Sequence, residues 1–127
     1  MKAIKTLIDG REHFLYYNAE AMFALKSIFG EKNLIEAMAP GDAEGYSATL
    51  ETAFVLAEQG ELARRALGYD KNPLLTPQLI RAAITPMQVV QLKQDVFDAI
   101  DLGLHQDIEA TGKVVDLGLE ELQKKTS

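Results

Sequence analysis

Thr85-Pro86-Met87-Gln88 opens the stretch TPMQVVQLKQDVFDAIDLGLHQDI, residues 85–108, whose reading decides the fold. Threonine can accept from an orphan amide at a helix start, and proline suits the first helical position. Gln88, three residues after Thr85, can return a bond to the threonine amide, so the spacing predicts a capping box. The apolar residues that form one face after it are Val89, Val90, Leu92, Val96, Phe97, Ala99, Ile100, Leu104 and Ile108. They span about 180° of a helical wheel, more than one packing partner covers, so this helix is expected to be central. Lys93 lies inside the arc and is expected to reach water along its own stem.

Upstream, Thr76-Pro77 marks a second helix start of the same kind. Leu50, Ala53, Phe54 and Ala57 stand at helical spacing within residues 47–59, with Gly60 as the expected terminator. Leu62, Ala63, Ala66 and Leu67 resume the pattern as far as Gly68, giving one bent helix or two. Pro40 through Gly45 holds a proline and two glycines and reads as a loop, after a short helical turn over Asn33–Ala39. Asn18 is placed to cap a helix over Ala19–Phe29, and Gly30 to end it. Its apolar face gathers Ala21, Met22, Ala24, Leu25, Ile28 and Phe29. Phe23 falls on the other side with Ala19, Lys26 and Ser27, and is expected to pack beneath the N-terminal strands, exposure to a partner being the alternative.

Those strands come from residues 2–8 and 11–17, which flank Asp9-Gly10, the signal of a tight hairpin. A two-residue loop would set Ile8 opposite Arg11. A three-residue loop ending in a bulge would instead collect Ile4, Thr6, Phe14 and Tyr16 on one face, and is the register expected. Two strands alone are marginal in water, so that face should lie on helices. Downstream, a weak helix over 114–123 is expected to fray into a polar end. The fold expected is therefore mainly α, with a small N-terminal β-hairpin packed on a multi-helix core. It forms a single domain over 1–127: a hairpin at 2–17, a helical core at 18–108 and a weakly ordered segment at 109–127.

The chain has 127 residues, 47% hydrophobic and 25% charged, with a net charge of −6. An acidic chain repels phosphate and anionic lipid, which argues against nucleic-acid and membrane-surface binding. There is no cysteine, hence no disulfide framework or thiolate metal site. No run approaches the length of a membrane span, and residues 1–14 lack the continuous apolar core of a signal peptide, so a cytoplasmic location is expected.

Sites for chemistry are sparse. His13 and His105 are the only histidines, and Asp101 lies four residues before His105, where the two can meet on a helix face. An Asp-oriented base is one reading, and an exposed ion pair the other; neither Ser47 nor Ser27 stands in a nucleophile elbow. Asp95, Asp98, Asp101 and Asp107 invite a divalent cation, but a straight helix cannot wrap four carboxylates round one ion, and a solvated acidic face is expected. Arg64-Arg65 with Arg81 is too thin a basic patch for nucleic acid. The glycines form no phosphate-binding loop. No catalytic residue, metal ligand or cofactor is assigned.

Several segments in order carry a likeness: Phe14 to Tyr17, Asn18 with Met22, Leu25 and Phe29-Gly30, Leu56-Ala57 with Gly60, Leu74-Leu75-Thr76-Pro77, and Val96 to Ile100. Over about residues 11–104 this series resembles the tail assembly chaperones of long-tailed bacteriophages and prophages. The resemblance implies a mainly α-helical fold, no catalysis and no cofactor. It also implies work in the host cytoplasm: coating the tape-measure protein, helping to recruit tail-tube protein, and absence from the finished virion. Helical faces too wide for one small body to cover would either self-associate into a homo-oligomer or hold client helices, and Met22, Phe23, Val90 and Phe97 are the expected contacts. An acidic phage adaptor or inhibitor that docks on a host protein is the alternative.

Overall fold

Asp9 and Gly10 both take positive φ, 53° and 73°, which a two-residue type I′ turn requires and whose twist matches that of the strands it joins. In the computed structural model, which describes residues 1–106 and 110–118, this turn links β1 (Lys2–Ile8) to β2 (Arg11–Leu15). Ile8 stands opposite Arg11, Thr6 opposite His13 and Ile4 opposite Leu15. The bulged register expected from the sequence is therefore corrected. That reading assumed one buried face, whereas this sheet buries side chains on both: Ile4, Ile8 and Leu15 enter the main core, and on the other face Ala3 enters a second cluster with Ala63, Val115 and Leu117.

The second cluster depends on β3 (Val114–Asp116), which pairs antiparallel with the start of β1 and completes a sheet of order β2-β1-β3. A helix was expected from residue 114. Two adjacent β-branched valines beside an open strand edge favour pairing instead, and burial of Val115 and Leu117 secures it. Helix begins only at residues 117–118, and the remainder of that expectation, residues 119–123, lies outside the described residues.

Helix α1 (Ala19–Phe29) begins and ends as its sequence predicts. Asn18 Oδ1 accepts from Ala21 N at 2.8 Å, and Gly30 closes the helix at φ 67°. Helix α2 (Leu34–Met38) is capped by Asn33, and α4 (Pro77–Ala83) by Thr76, whose Oγ1 accepts from Leu79 N at 3.1 Å. Helix α5 (Pro86–Leu104) starts with the expected capping box, Gln88 Oε1 accepting from Thr85 N at 3.0 Å. It ends at Leu104, short of the predicted 108.

The largest departure is α3 (Ala43–Ala66), a single helix of 24 residues. Its start consumes half of the expected loop, with Asp42 Oδ1 accepting from Gly45 N at 3.0 Å. It runs straight through Gly60, where a terminator was expected. A Cβ at Gly60 would lie 1.7 Å from the Phe14 carbonyl oxygen, so the glycine is a point of contact rather than a stop. Tyr16 N donates to the Leu56 carbonyl at 3.1 Å, which seats the end of β2 directly on the α3 backbone.

Helix α3, not α5, is the central helix: α1, α2, α4, α5 and β2 all pack on it. Its buried positions are dominated by small or β-branched residues, including Ala48, Thr49, Thr52, Ala53, Val55 and Ala57, which let neighbours approach from several sides. A helix buried all round shows little amphipathic contrast, so periodicity understated it. The hydroxyls of Thr49 and Thr52 donate to the carbonyls of Gly45 and Ala48, one turn back, at 2.9 and 2.7 Å. The described molecule is thus mainly helical, with a small three-stranded antiparallel sheet.

Candidate functional site

The side chains expected to meet a partner sit on two helices. On α1, Ala21 and Leu25 face the core while Phe23, 63% exposed, and Met22 point outward. Phe23 therefore does not pack beneath the hairpin, whose floor is made by α3 and α5. On α5, Val90 is 68% exposed, whereas Phe97 is partly buried against the core. The two pairs form separate rows, since α1 packs on α3 while α5 packs on β1 and α3.

Leu104 is exposed as well, and it follows Val90 and Phe97 at intervals of seven, the spacing of a stripe along one side of a helix. Leu7 and Met87 complete the apolar exposure near the hairpin tip and the start of α5. Leu7 was legible as the strand residue that alternation places opposite the faces of Thr6 and Ile8. Met87 stands three residues before Val90, one helical turn away. The sequence reading assigned neither as a contact.

A groove of about 410 Å³ separates β1 from the first half of α5. Leu7, Ile8, Ile84 and Leu92 line it, and at one end lies a polar cluster built around Asp95. Asp95 is buried, contrary to the solvated acidic face expected. Thr6 Oγ1 donates to its Oδ2 at 2.8 Å, while Gln91 Nε2 and Lys113 Nζ donate to its Oδ1 at 2.9 and 2.8 Å. Lys113 also pairs with Asp98. Burial opposes the charge on Lys113, but the hydrogen bonds and attraction from Asp95 and Asp98 outweigh it and hold the lysine above its usual pKa. The cluster ties the segment before β3 to α5 and β1. Lys93, inside the apolar arc, is half-buried, in keeping with a stem laid along the surface.

A second polar cluster fastens the chain after α3. Glu61 accepts from Arg64 Nη1 at 2.6 Å, Arg65 Nε at 2.8 Å and Asn72 N at 2.9 Å. Burial pushes the Glu61 carboxyl up, yet the donors from Arg65, Asn72 and Arg64 prevail and its pKa lies below the ordinary value. The Arg64 guanidinium lies 4.8 Å from the Tyr69 ring centroid and 5.8 Å from that of Phe14. The adjacent arginines are thus occupied in holding the fold. His13 lies near this cluster, and burial, then Arg11, lowers its pKa against an opposing pull from Glu61.

His105 Nε2 and Asp101 Oδ1 are 3.8 Å apart, and both side chains are largely exposed, the geometry of a surface helix pair. Of the four aspartates considered for a metal, Asp95 and Asp98 are engaged by Lys113 and Asp101 by His105, while Asp107 lies outside the described residues. Among the described residues, no three His, Cys, Asp or Glu side chains are grouped to hold a metal ion, and no helix is long and apolar enough to cross a membrane. What the surface offers chemically is apolar contact on α1 and α5 and a strand-lined groove. Compared with protein-family models, curated proteins and solved structures, the chain matches none.

Proposed function

We propose that this chain is a non-catalytic tail assembly chaperone of long-tailed phages, which binds the tape-measure protein and helps to recruit tail-tube subunits in the host cytoplasm. In this reading the chain works as one domain, with its hairpin packed on the helices, and leaves before the virion is complete. The observation that carries the proposal is the outward display of Phe23 and Met22 on α1 and of Val90 on α5. Helices that keep large apolar side chains in water without burying them are suited to reversible contact with amphipathic client helices. Repeated along an extended client, such weak sites act through avidity. The net charge of −6 keeps a crowded coat soluble.

The experiment is co-expression with a long-tailed phage tape-measure protein, which this reading expects to be encoded beside the chain. The client is expected to stay soluble and to co-purify, and Phe23→Ser combined with Val90→Ser is expected to lower the co-purified amount several-fold. If client solubility is unchanged by the wild-type chain and nothing co-purifies, the proposal is abandoned.

A further inference from the structure

We infer that the groove between α2 and the start of α3 receives a basic amphipathic helix of another protein, its lysines or arginines set against Glu36, Glu44 and Glu51. The groove has a volume of about 700 Å³. Its apolar floor is made mostly of short side chains, Ala37, Pro40, Ala43 and Ala48, with Phe29 from the end of α1. Small residues on facing walls leave a channel where longer ones would interdigitate. Both walls are fixed before anything binds. Asn33 Oδ1 accepts from Ile35 N at 2.9 Å at the start of α2, and Met38 at its end is fully buried. The corner between the helices is tight, since a Cβ at Gly45 would stand 1.8 Å from the Pro40 carbonyl oxygen. A preformed channel binds without the cost of ordering its walls.

The charges around this floor select the occupant. Glu44 and Glu51 are two turns apart on one stripe of α3, and Glu36 stands on the opposite wall. None of these three carboxylates has an ion-pair or hydrogen-bond partner among the described residues. Glu51 is half-buried, so its charge is partly stripped of water and gains most from an incoming cation. Lys32 is the cation among the described lining residues, while Arg81 at the margin is engaged by Ser47 Oγ at 3.4 Å and by the Tyr46 ring. The excess of carboxylates favours a positive partner. Carboxylates spaced by whole turns are met by cations one or two turns apart on a helix, whose apolar side then rests on the floor. Past Phe29 and Lys32 the channel continues into a hollow of about 280 Å³ beside Met22 and Leu25, which extends that apolar bed. A second copy of this chain does not fit. Arg64 and Arg65 of α3 are bound to Glu61, α2 has no lysine or arginine, and α1, α4 and α5 carry one each.

This inference fixes the chemistry of a partner rather than its identity. It needs neither Phe23 nor Val90, so it and the tape-measure reading can fail separately. The probe is a fluorescein-labelled synthetic peptide of about sixteen residues, with leucine and alanine on one helical face and lysine on the other, titrated by anisotropy. The same peptide with glutamate for every lysine is the comparison. Glu36→Gln, Glu44→Gln and Glu51→Gln together neutralise the groove. Glu20→Gln, Asp70→Asn and Asp101→Asn together change the net charge equally at exposed positions outside it. Circular dichroism verifies that both variants are folded. The lysine peptide is expected to bind with a dissociation constant on the order of tens of micromolar, and the glutamate peptide not to bind. The groove variant should weaken binding about tenfold or more, and the control variant less than about threefold. Amide shifts of the isotope-labelled wild-type chain should concentrate in residues 32–51. No binding of the lysine peptide up to about 0.5 mM overturns the inference. So does equal weakening by the two variants, which marks attraction to the charge of the whole molecule, and so do amide shifts centred outside the groove.

Discussion

At the residue scale, Gly60 and Glu61 are neighbours with opposite duties. Alanine normally stabilises a helix interior by about 1 kcal/mol over glycine. At Gly60 the added Cβ would meet the Phe14 carbonyl oxygen at 1.7 Å, a backbone atom that cannot swing aside. Gly60→Ala is therefore expected to destabilise by about 2–3 kcal/mol, as overpacking does, measured by urea denaturation. Glu61 is a pH-dependent fastener. Its folded pKa lies below the ordinary value of 4.5, so its contribution is complete above that value and is lost as pH falls through the folded one. Glu61→Gln should be less stable than wild type at pH 7, with the difference shrinking in acid. A difference that stays constant from pH 7 to pH 3 would refute this assignment. Lys113 acts in the opposite sense: raised above 10.5, it stabilises at neutral pH and lets go as pH climbs through its folded value.

At the scale of elements, α1 separates burial from display within three residues. Leu25 is in the core and Phe23 is in water. Leu25→Ala is expected to cost about 3 kcal/mol, whereas Phe23→Ser should stay within about 0.5 kcal/mol of wild type in the same thermal or urea measurement. If Phe23→Ser proved as costly as Leu25→Ala, Phe23 would have to be a packing residue, and the contact surface on α1 would vanish. The starts of α1, α4 and α5 were legible because caps are local: Asn18, Thr76 and Thr85 with Gln88 each satisfy amides within three residues. The extent of α3 was not legible, because Gly60 as a breaker and Gly60 as a contact point look alike until the position of β2 is known. Of the expected partner residues, Phe23, Val90 and Met22 lie at the surface and Phe97 is largely claimed by packing. Their separation on two rows depends on how α1 and α5 dock, which neither helix encodes by itself.

At the scale of the whole molecule, β3 binds the two ends of the described chain together. It pairs with β1, Leu117 N donates to the Met1 carbonyl at 2.9 Å, and Tyr69 Oη donates to the Leu117 carbonyl at 2.8 Å. Ending the chain after Gly112 removes the burial of Val115 and Leu117 and uncovers β1 along its length. The expected loss is about 3 kcal/mol, seen as a lower thermal midpoint, together with increased light scattering from a longer exposed edge. A truncated chain as stable and as monodisperse as the full one would show that β3 contributes little to the fold. By itself the sequence determined the starts of α1, α4 and α5, the place of the hairpin at Asp9-Gly10 and the mainly helical class, since each follows from groups within a few residues of one another. Tertiary structure decided the hairpin register, the central place of α3, the strand at Val114–Asp116 and the burial of Asp95. Each of these is set by a distant partner, whether Ala63 and Leu117 closing over the Ala3 side of the sheet, Phe14 lying on Gly60, or Thr6 and Lys113 meeting one carboxylate, and contacts between remote segments exist only once the chain has closed on itself.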